Sequence, residues 1–464
     1  MVSFAQLRSD EMEVKHLLVF FLMFAVASTT TLQAQRQPAA PPDTGAPLLT
    51  LDDAVSFALN NNRLVKNSAL EAQKFDFRVD TARSRRLPHF QFALLGGELL
   101  HSIDFTFHKG VFGTAGGAPV PSADSKVHTP AQVTSYITGG IDQPITQLHK
   151  IGLGIRATEI GREIAREDVR AERQKIAAEV RNAYFDLVAI QAGVDAAREA
   201  VKTLEETQRV TARYRQQETV LRADALDVDA RLAKARYELS VAENGLVTQR
   251  EHLNELLGRD LTTPFRVDSM PEEDTTDLTL AAAREAASQN RPEIRQARLK
   301  EKQAEYDRRI AKAEYIPDLG VAVQYLGVNN VAVLPGNVAV AGFLLSWEPF
   351  DWGRRHNQVA EKTKTVEQAR NGIRETEAQI AVAVGAKYRK WQEAALLLKA
   401  SRTAQEAAVE QFRVTENKYK EQAALVKDLL QAQARSSEAD FQYQQTLSSY
   451  WSALADLRRA MGEE

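Results

Sequence analysis

Residues 49–88 read LTLDDAVSFALNNNRLVKNSALEAQKFDFRVDTARSRRLP, and residues 278–317 read LTLAAAREAASQNRPEIRQARLKEKQAEYDRRIAKAEYIP. Leu49-Thr50-Leu51, Ala54, Ala58, Asn61, Leu70, Ala82 and Pro88 recur as Leu278-Thr279-Leu280, Ala283, Ala287, Asn290, Leu299, Ala311 and Pro317, all at one displacement (280 − 51 = 317 − 88 = 229). A gap-free period of that length lies far beyond the ~20–50 residues of solenoids and propellers, so it marks a large unit used twice.

Each copy reads as helix up to its proline, from about Asp52 to Arg86 in the first, because the proline ring disfavours helix at the residue before it. After Pro317 the period changes. Leu319, Val321, Val323 and Tyr325 alternate with Gly320, Ala322 and Gln324, and a second run, Val338 to Phe350, follows a Gly and Asn break, which predicts two strands and a turn. In the first copy Phe90, Phe92 and Leu94 open one strand and Thr134 to Ile145 supplies its partner. Between them Ser102 to Pro130, rich in Gly and Pro, reads as a large exposed loop.

Both copies leave the second strand through a proline, Pro144 or Pro349, and enter a very long helix. In Gly154 to Gln217, Ile176, Val180, Ala183, Leu187, Ile190, Val194, Ala197, Val201 and Leu204 are spaced 4, 3, 4, 3, a coiled-coil seam. The second copy runs from Arg354 to Lys420, with Ile380, Val384, Tyr388, Trp391, Ala395 and Leu398 on one face. Return helices Asp224 to Leu257 and Asp428 to Met461 end on Gly258 and Gly462.

Composition narrows the function. Charged residues are 26% and aromatics 7% of 464, the profile of long helices, and a net charge of −3 gives no bulk reason to bind nucleic acid. Residues 1–34 read as a signal peptide: Lys15 and His16 precede the apolar run Leu17 to Ala27, with cleavage after Ala27 or Ala34. Residues 35–47 read as a Pro-rich leader, 48–263 as the first repeat, 264–276 as a linker and 277–464 as the second repeat. Cysteine is absent, which excludes disulfides, thiolate chemistry and a lipid-bearing N-terminal cysteine. No later segment reaches the ~18 apolar residues of a membrane helix. The chain shows no Ser-His-Asp order, paired catalytic carboxylates or HExxH, so no enzyme and no cofactor is expected. His101, His108 and His128 share the loop and could gather a metal, although exposed loop histidines are the plainer reading.

Long seams alone fit an ordinary antiparallel helix bundle, and the strands decide against it. Unpaired strand edges are not tolerated in lipid, and four strands are fewer than the ~8 at which membrane barrels begin, so closure calls for several chains.

Leu49-Thr50-Leu51-Asp52-Asp53-Ala54 with Asn60-Asn61-Asn62, the copy Leu278-Thr279-Leu280 with Asn290-Arg291-Pro292-Glu293, then Tyr315-Ile316-Pro317-Asp318-Leu319 and Pro349-Phe350-Asp351-Trp352-Gly353-Arg354-Arg355, together resemble the TolC-like outer-membrane efflux proteins. The resemblance spans about Leu48 to Gly462. It implies a mainly α fold with a small β part: long coiled-coil helices forming an α-barrel, and four strands per chain contributing to a trimeric 12-stranded transmembrane β-barrel.

The same resemblance implies a passive outer-membrane channel of a tripartite efflux or type I secretion system, extending into the periplasm and fed by an inner-membrane pump and a periplasmic adaptor. A periplasmic coiled-coil adaptor or scaffold is the alternative, and it leaves the four symmetric strands unexplained. By the same likeness the helix turns form the tunnel entrance, with Asp428, Asp224, Asp227 and Gln431 at a pore constriction. Glu218, Val220, Leu221, Arg222, Gln422, Ala424, Leu425 and Val426 form the adaptor-contact tips. The sequence departs from the family at Glu218 and Gln422, where glycine is expected, and the first tip carries an extra residue. Asp224 and Asp428 also suit helix N-termini as simple caps. Phe92, Tyr136, Tyr325, Trp347 and Trp352 fit either barrel girdles or anchors of a soluble core.

Overall fold

Thr50 and Thr279 start equivalent helices by the same device. Each hydroxyl accepts a backbone amide three residues on, Asp53 N at 3.2 Å and Ala282 N at 3.2 Å. In the computed structural model, which describes residues 46–216, 221–271, 278–331, 335–421 and 423–464, Pro47–Glu464 forms one compact unit. The expected signal peptide lies outside the described residues.

The helix expected from Asp52 to Arg86 is two helices, α1 (Leu51–Asn61) and α2 (Arg63–Ser84). Asn62 breaks them: its side-chain oxygen accepts Leu64 N at 2.8 Å and Val65 N at 3.3 Å, a cap that competes with continuing the helix. The copy follows with α5 (Leu280–Asn290) and α6 (Pro292–Ala313), broken at Arg291, where Pro292 occupies the first helical turn that tolerates it. All four helix ends keep the 229-residue displacement, since 292 − 63 = 313 − 84 = 229.

Four strands, β2 (His89–Glu98), β7 (Val133–Pro144), β9 (Asp318–Asn329) and β10 (Asn337–Ser346), form one antiparallel sheet in the order β10-β9-β7-β2. The segment read as an exposed loop is itself paired. β3 (Ile103–Phe107) lies against β6 (Ser125–Thr129), and β4 (Thr114–Ala115) against β5 (Ala118–Pro119). The Phe107 ring lies between those of Phe105 and Phe112, tilted against both, with centres 4.8 and 5.3 Å away. The stretch read as a linker contributes β8 (Arg266–Val267), which pairs in parallel with β1 (Leu48–Leu49), and Phe265 beside it is 1% exposed.

The long helices are α3 (Gln147–Gln216) and α7 (Arg354–Lys420), and their return helices are α4 (Arg222–Leu257) and α8 (Val426–Met461). At 70 residues α3 is about 105 Å long, at about 1.5 Å per residue. Its seam is covered: Ile176, Val180, Ala183, Leu187, Val194, Val201 and Leu204 are buried. Near the sheet the wall runs α2-α3-α6-α7, and toward the turns α4-α3-α8-α7, each helix beside the next. Short α1 and α5 add a second layer at mid-height. Ala54 and Ala58 pack into one core with Ile176 and Leu253, and Ala283 and Ala287 into another with Val384 and Leu454.

Candidate functional site: a two-faced sheet and paired hairpin tips

Strand pairing fixes which side chains share a face, because opposed residues in an antiparallel sheet point the same way. One face collects Phe90, Phe92 and Leu94 of β2 with Ile137 and Ile141 of β7; Val321, Val323 and Tyr325 of β9 with Phe343 and Leu345 of β10 complete it. The opposite face carries His89, Gln91, Thr138, Asp142, Gln324 and Ser346, with Gly and Ala between them and Val340 beside Gln324; Leu326, Val338, Val328 and Leu95 lie toward one end and Leu344 toward the other.

The apolar face is bare within the chain: Phe92 is 73% and Phe343 80% exposed. A water-facing sheet would bury this side and wet the other. From Leu319 to Gly327 the apolar rows run about 26 Å along the strand at about 3.3 Å per residue, close to the ~25 Å apolar band of a membrane barrel. Of the five aromatics singled out in the sequence, Phe92 and Tyr325 lie in one row of this face. Trp347 and Trp352 follow β10 and are exposed, and Phe350 meets Trp352 edge-on at 5.5 Å. Tyr136 lies opposite Leu95, on the other face.

Where the polar face meets the helices, a 780 Å³ concavity is lined by Arg85, His89, Asp142, Gln147, Asp318 and Ser346. Among the described residues the outer strands β2 and β10 each have a neighbour on one side only. Among the described residues no helix is long and apolar enough to cross a membrane.

At the other end the two helix turns lie side by side. Val201, Leu204, Val228 and Leu232 from one hairpin share a cluster with Tyr419, Val426, Leu429 and Leu430 from the other. Tyr214 and Tyr419, at matching positions before their turns, meet edge-on with ring centres 6.5 Å apart. Burial pushes the Tyr419 phenol above its usual range. Both tyrosines stand 70 residues after the proline that closes the second strand of their repeat (214 − 144 = 419 − 349 = 70), so the repeat sets them at one height.

The acidic residues of the tips are all exposed. Asp428 accepts the backbone amide of Leu425 at 3.4 Å, reaching back over the first turn of α8. Asp224 makes no such bond; its own amide donates to Leu221 O at 3.1 Å. Asp227 is paired with Arg231 at 3.1 Å. Gln431 is exposed one turn beyond Asp428. Leu221 and Leu425 head their helices with side chains 72% and 71% exposed, Arg222 is exposed, Ala424 is half-buried against the shared cluster and Val426 is buried in it. Glu218, Val220 and Gln422 lie outside the described residues.

The loop histidines do not converge. His108 Nδ1 is 3.2 Å from Asp124 and His128 Nδ1 2.5 Å from Asp104, in separate pairs. Backbone and His108 hydrogen bonds, led by Lys109 N, hold the Asp124 carboxyl below its ordinary range. No group of three potential metal ligands occurs among the described residues.

The sequence matches the family model described as outer membrane efflux protein over residues 54–259 and 283–463. No curated protein sequence matches it. Among solved structures, the Campylobacter jejuni CmeC outer membrane channel superposes with a TM-score of 0.68 at 17% identity, covering 89% of this chain and 85% of that one. The Vibrio cholerae outer membrane protein VceC gives 0.68 at 15% identity, covering 89% and 96%. The Neisseria gonorrhoeae MtrE outer membrane channel, solved in its open state, gives 0.66 at 18% identity, covering 89% of each chain. At these identities the likeness establishes a shared fold.

Proposed function

The chain belongs to the outer membrane efflux protein family, and we propose that it works as a passive exit channel of the outer membrane, assembled from three copies. The observation that carries this reading is the sheet. One face is apolar and the opposite face mostly polar and small, as a membrane barrel with an apolar outside and a wet lumen requires. Pairing β2 of one copy with β10 of the next satisfies both open ladders and closes a 12-stranded barrel from three four-stranded sheets.

The helices continue the conduit. Edge helices α4 and α7 expose Tyr237, Val241, Val382 and Leu396, which neighbouring copies would cover. The result is a hollow helical wall about 100 Å long, at about 1.5 Å per residue, spanning toward the inner membrane. In this reading residues 1–34 direct export, and the cysteine-free chain is held in the membrane by its barrel rather than by lipid.

The reading extends to both partners. Exposed Leu221 and Leu425, with Arg222 and Ala424 beside them, form the tip surface for a periplasmic adaptor that couples the channel to an inner-membrane pump. Asp224, Asp227, Asp428 and Gln431 line the entrance, and three copies of each carboxylate around one axis attract cations and repel anions. A periplasmic adaptor, the rival function, has no use for nine exposed apolar strand residues on one face. Reconstitution tests the proposal: detergent-extracted protein added to a planar bilayer is expected to give discrete conductance steps, and protein recovered only in the soluble periplasmic fraction would contradict it.

A further inference from the structure

A groove of 360 Å³ runs along the seam of α3 and α6. Arg295, Arg298 and Lys302 occupy one face of α6 at intervals of three and four, and Arg166 faces them from α3 beside Glu163 and Glu167. Glu167 is already engaged, by Arg170 at 2.8 Å and Arg295 at 3.8 Å. Arg166 lies 4.0 Å from Asp76 and Arg298 3.1 Å from Glu377, both exposed pairs open to competition by another anion. Lys302 has no ion-pair partner among the described residues. The groove itself is thus lined by four cations and two carboxylates, Glu163 and Glu167, in a chain whose overall charge is negative.

Its position decides what it can meet. Arg295 donates to Gln289 O at 3.3 Å and Arg170 to Asn290 O at 3.4 Å, both in the last turn of α5. Helix α5 belongs to the second layer, and a tunnel that passes cargo carries that layer outside, so on the channel reading the groove opens on the outer wall. Arg166 lies 19 residues into α3 (166 − 147) and Lys302 11 residues before the end of α6 (313 − 302), which sets the groove about 17 to 28 Å beyond the sheet. Membrane headgroups extend only about 5 to 8 Å past the hydrocarbon and do not reach it.

We infer that this groove binds a carboxylate-bearing polymer of the periplasm, the cell-wall network through which the tunnel passes. Guanidinium forks match carboxylates two bonds at a time, which favours this chemistry over a simple cation-exchange surface. Three copies place three equal grooves on one circle at one height. Individually weak, exposed sites of that kind suit a repeating anion that engages several at once, since avidity then supplies what each contact lacks.

Co-sedimentation of the purified assembly with insoluble cell-wall sacculi tests this. The assembly is expected to pellet with sacculi at about 0.05 M salt and to be released at about 0.5 M. Arg166→Glu with Arg298→Glu should lower the retained fraction about tenfold or more, the milder Arg166→Gln with Arg298→Gln by less, and sacculi with amidated carboxyls should retain as little as the charge-reversed protein. Equal retention of variant and parent, equal retention by amidated sacculi, or capture by soluble polyglutamate but not by sacculi would overturn the inference. Conductance and particle mass measured on the same preparation keep the readings apart. Normal channels without wall binding defeat this inference alone, whereas absent channels defeat the reading it rests on.

Discussion

Gly258, at the end of α4, presses so closely on Asn61 that a Cβ on the glycine would stand 2.5 Å from the Asn61 carbonyl oxygen. The second repeat reproduces the contact: a Cβ on Gly462, at the end of α8, would stand 2.8 Å from the Asn290 carbonyl carbon. Both glycines have left-handed backbones, φ 71° and 88°. In each repeat the end of a return helix thus locks into the break of a short helix pair. The break residues bind there too: Asn62 donates to Leu256 O at 2.8 Å, and Arg291 to Arg459 O at 3.1 Å.

Replacing either glycine by alanine combines backbone strain with a steric clash against main chain that cannot step aside. Gly258→Ala or Gly462→Ala is expected to cost about 2–4 kcal/mol, read as a lowered denaturant midpoint. Gly245, with nothing within 4 Å of its would-be Cβ, is the control, and its alanine variant should match or exceed the parent.

Asp456 joins the repeats at mid-height. Burial raises its carboxyl pKa, but hydrogen bonds from Lys387 at 2.5 Å and Asn182 at 3.2 Å and the charges of Lys387 and Lys390 outweigh burial and leave it lowered. The folded protein therefore binds this proton less readily than the unfolded chain. The associated stability is present above the ordinary Asp pKa and is lost as the pH falls through the lowered one. Asp456→Asn should cost stability at pH 7 and flatten the acid limb of a stability-against-pH curve; an unchanged acid limb would remove Asp456 from that role.

The two sheet faces make opposite demands. Phe343→Lys places charge on the apolar face and should cost about 2–4 kcal/mol of membrane-inserted stability, whereas Gln324→Lys on the polar face should cost less than about 1 kcal/mol. Heat-resistance of the extracted assembly on gels compares them, and equal sensitivity would mean that the faces are misassigned.

If Asp428 narrows the entrance, Asp428→Ala should raise single-channel conductance or weaken block by divalent cations, with Asp227→Ala a smaller effect because Arg231 already offsets that charge. Identical traces would leave Asp428 with its bond to Leu425 N as its whole role.

Much of the fold was legible because its signals are local. The bounds of α7, Arg354 and Lys420, were readable from a proline-flanked start and an unbroken seam, and Gly258 and Gly462 marked two ends by the conformation only glycine adopts freely. The break at Asn62 was not, since asparagine is unremarkable inside a helix and becomes a stop only through the amides of Leu64 and Val65. Ser102 to Pro130 hid its ladder because the β3 alternation Ile103, Phe105, Phe107 is five residues long and its partner lies beyond a Gly-rich turn. At the tips the acidic residues could be named, but the pairing of Tyr214 with Tyr419 depends on two hairpins meeting, which no single stretch of sequence encodes.

The central claim is that one chain's sheet is an arc whose edges, β2 and β10, close only on other copies. The most direct measurement is the protein mass of the detergent-extracted particle, by light scattering with the detergent contribution subtracted. The account predicts three chains per particle, with Gly96→Pro and Ala341→Pro in the edge strands reducing it toward one by removing donors that face away from β7 and β9. A stable particle of one chain that still conducts in a bilayer would contradict it.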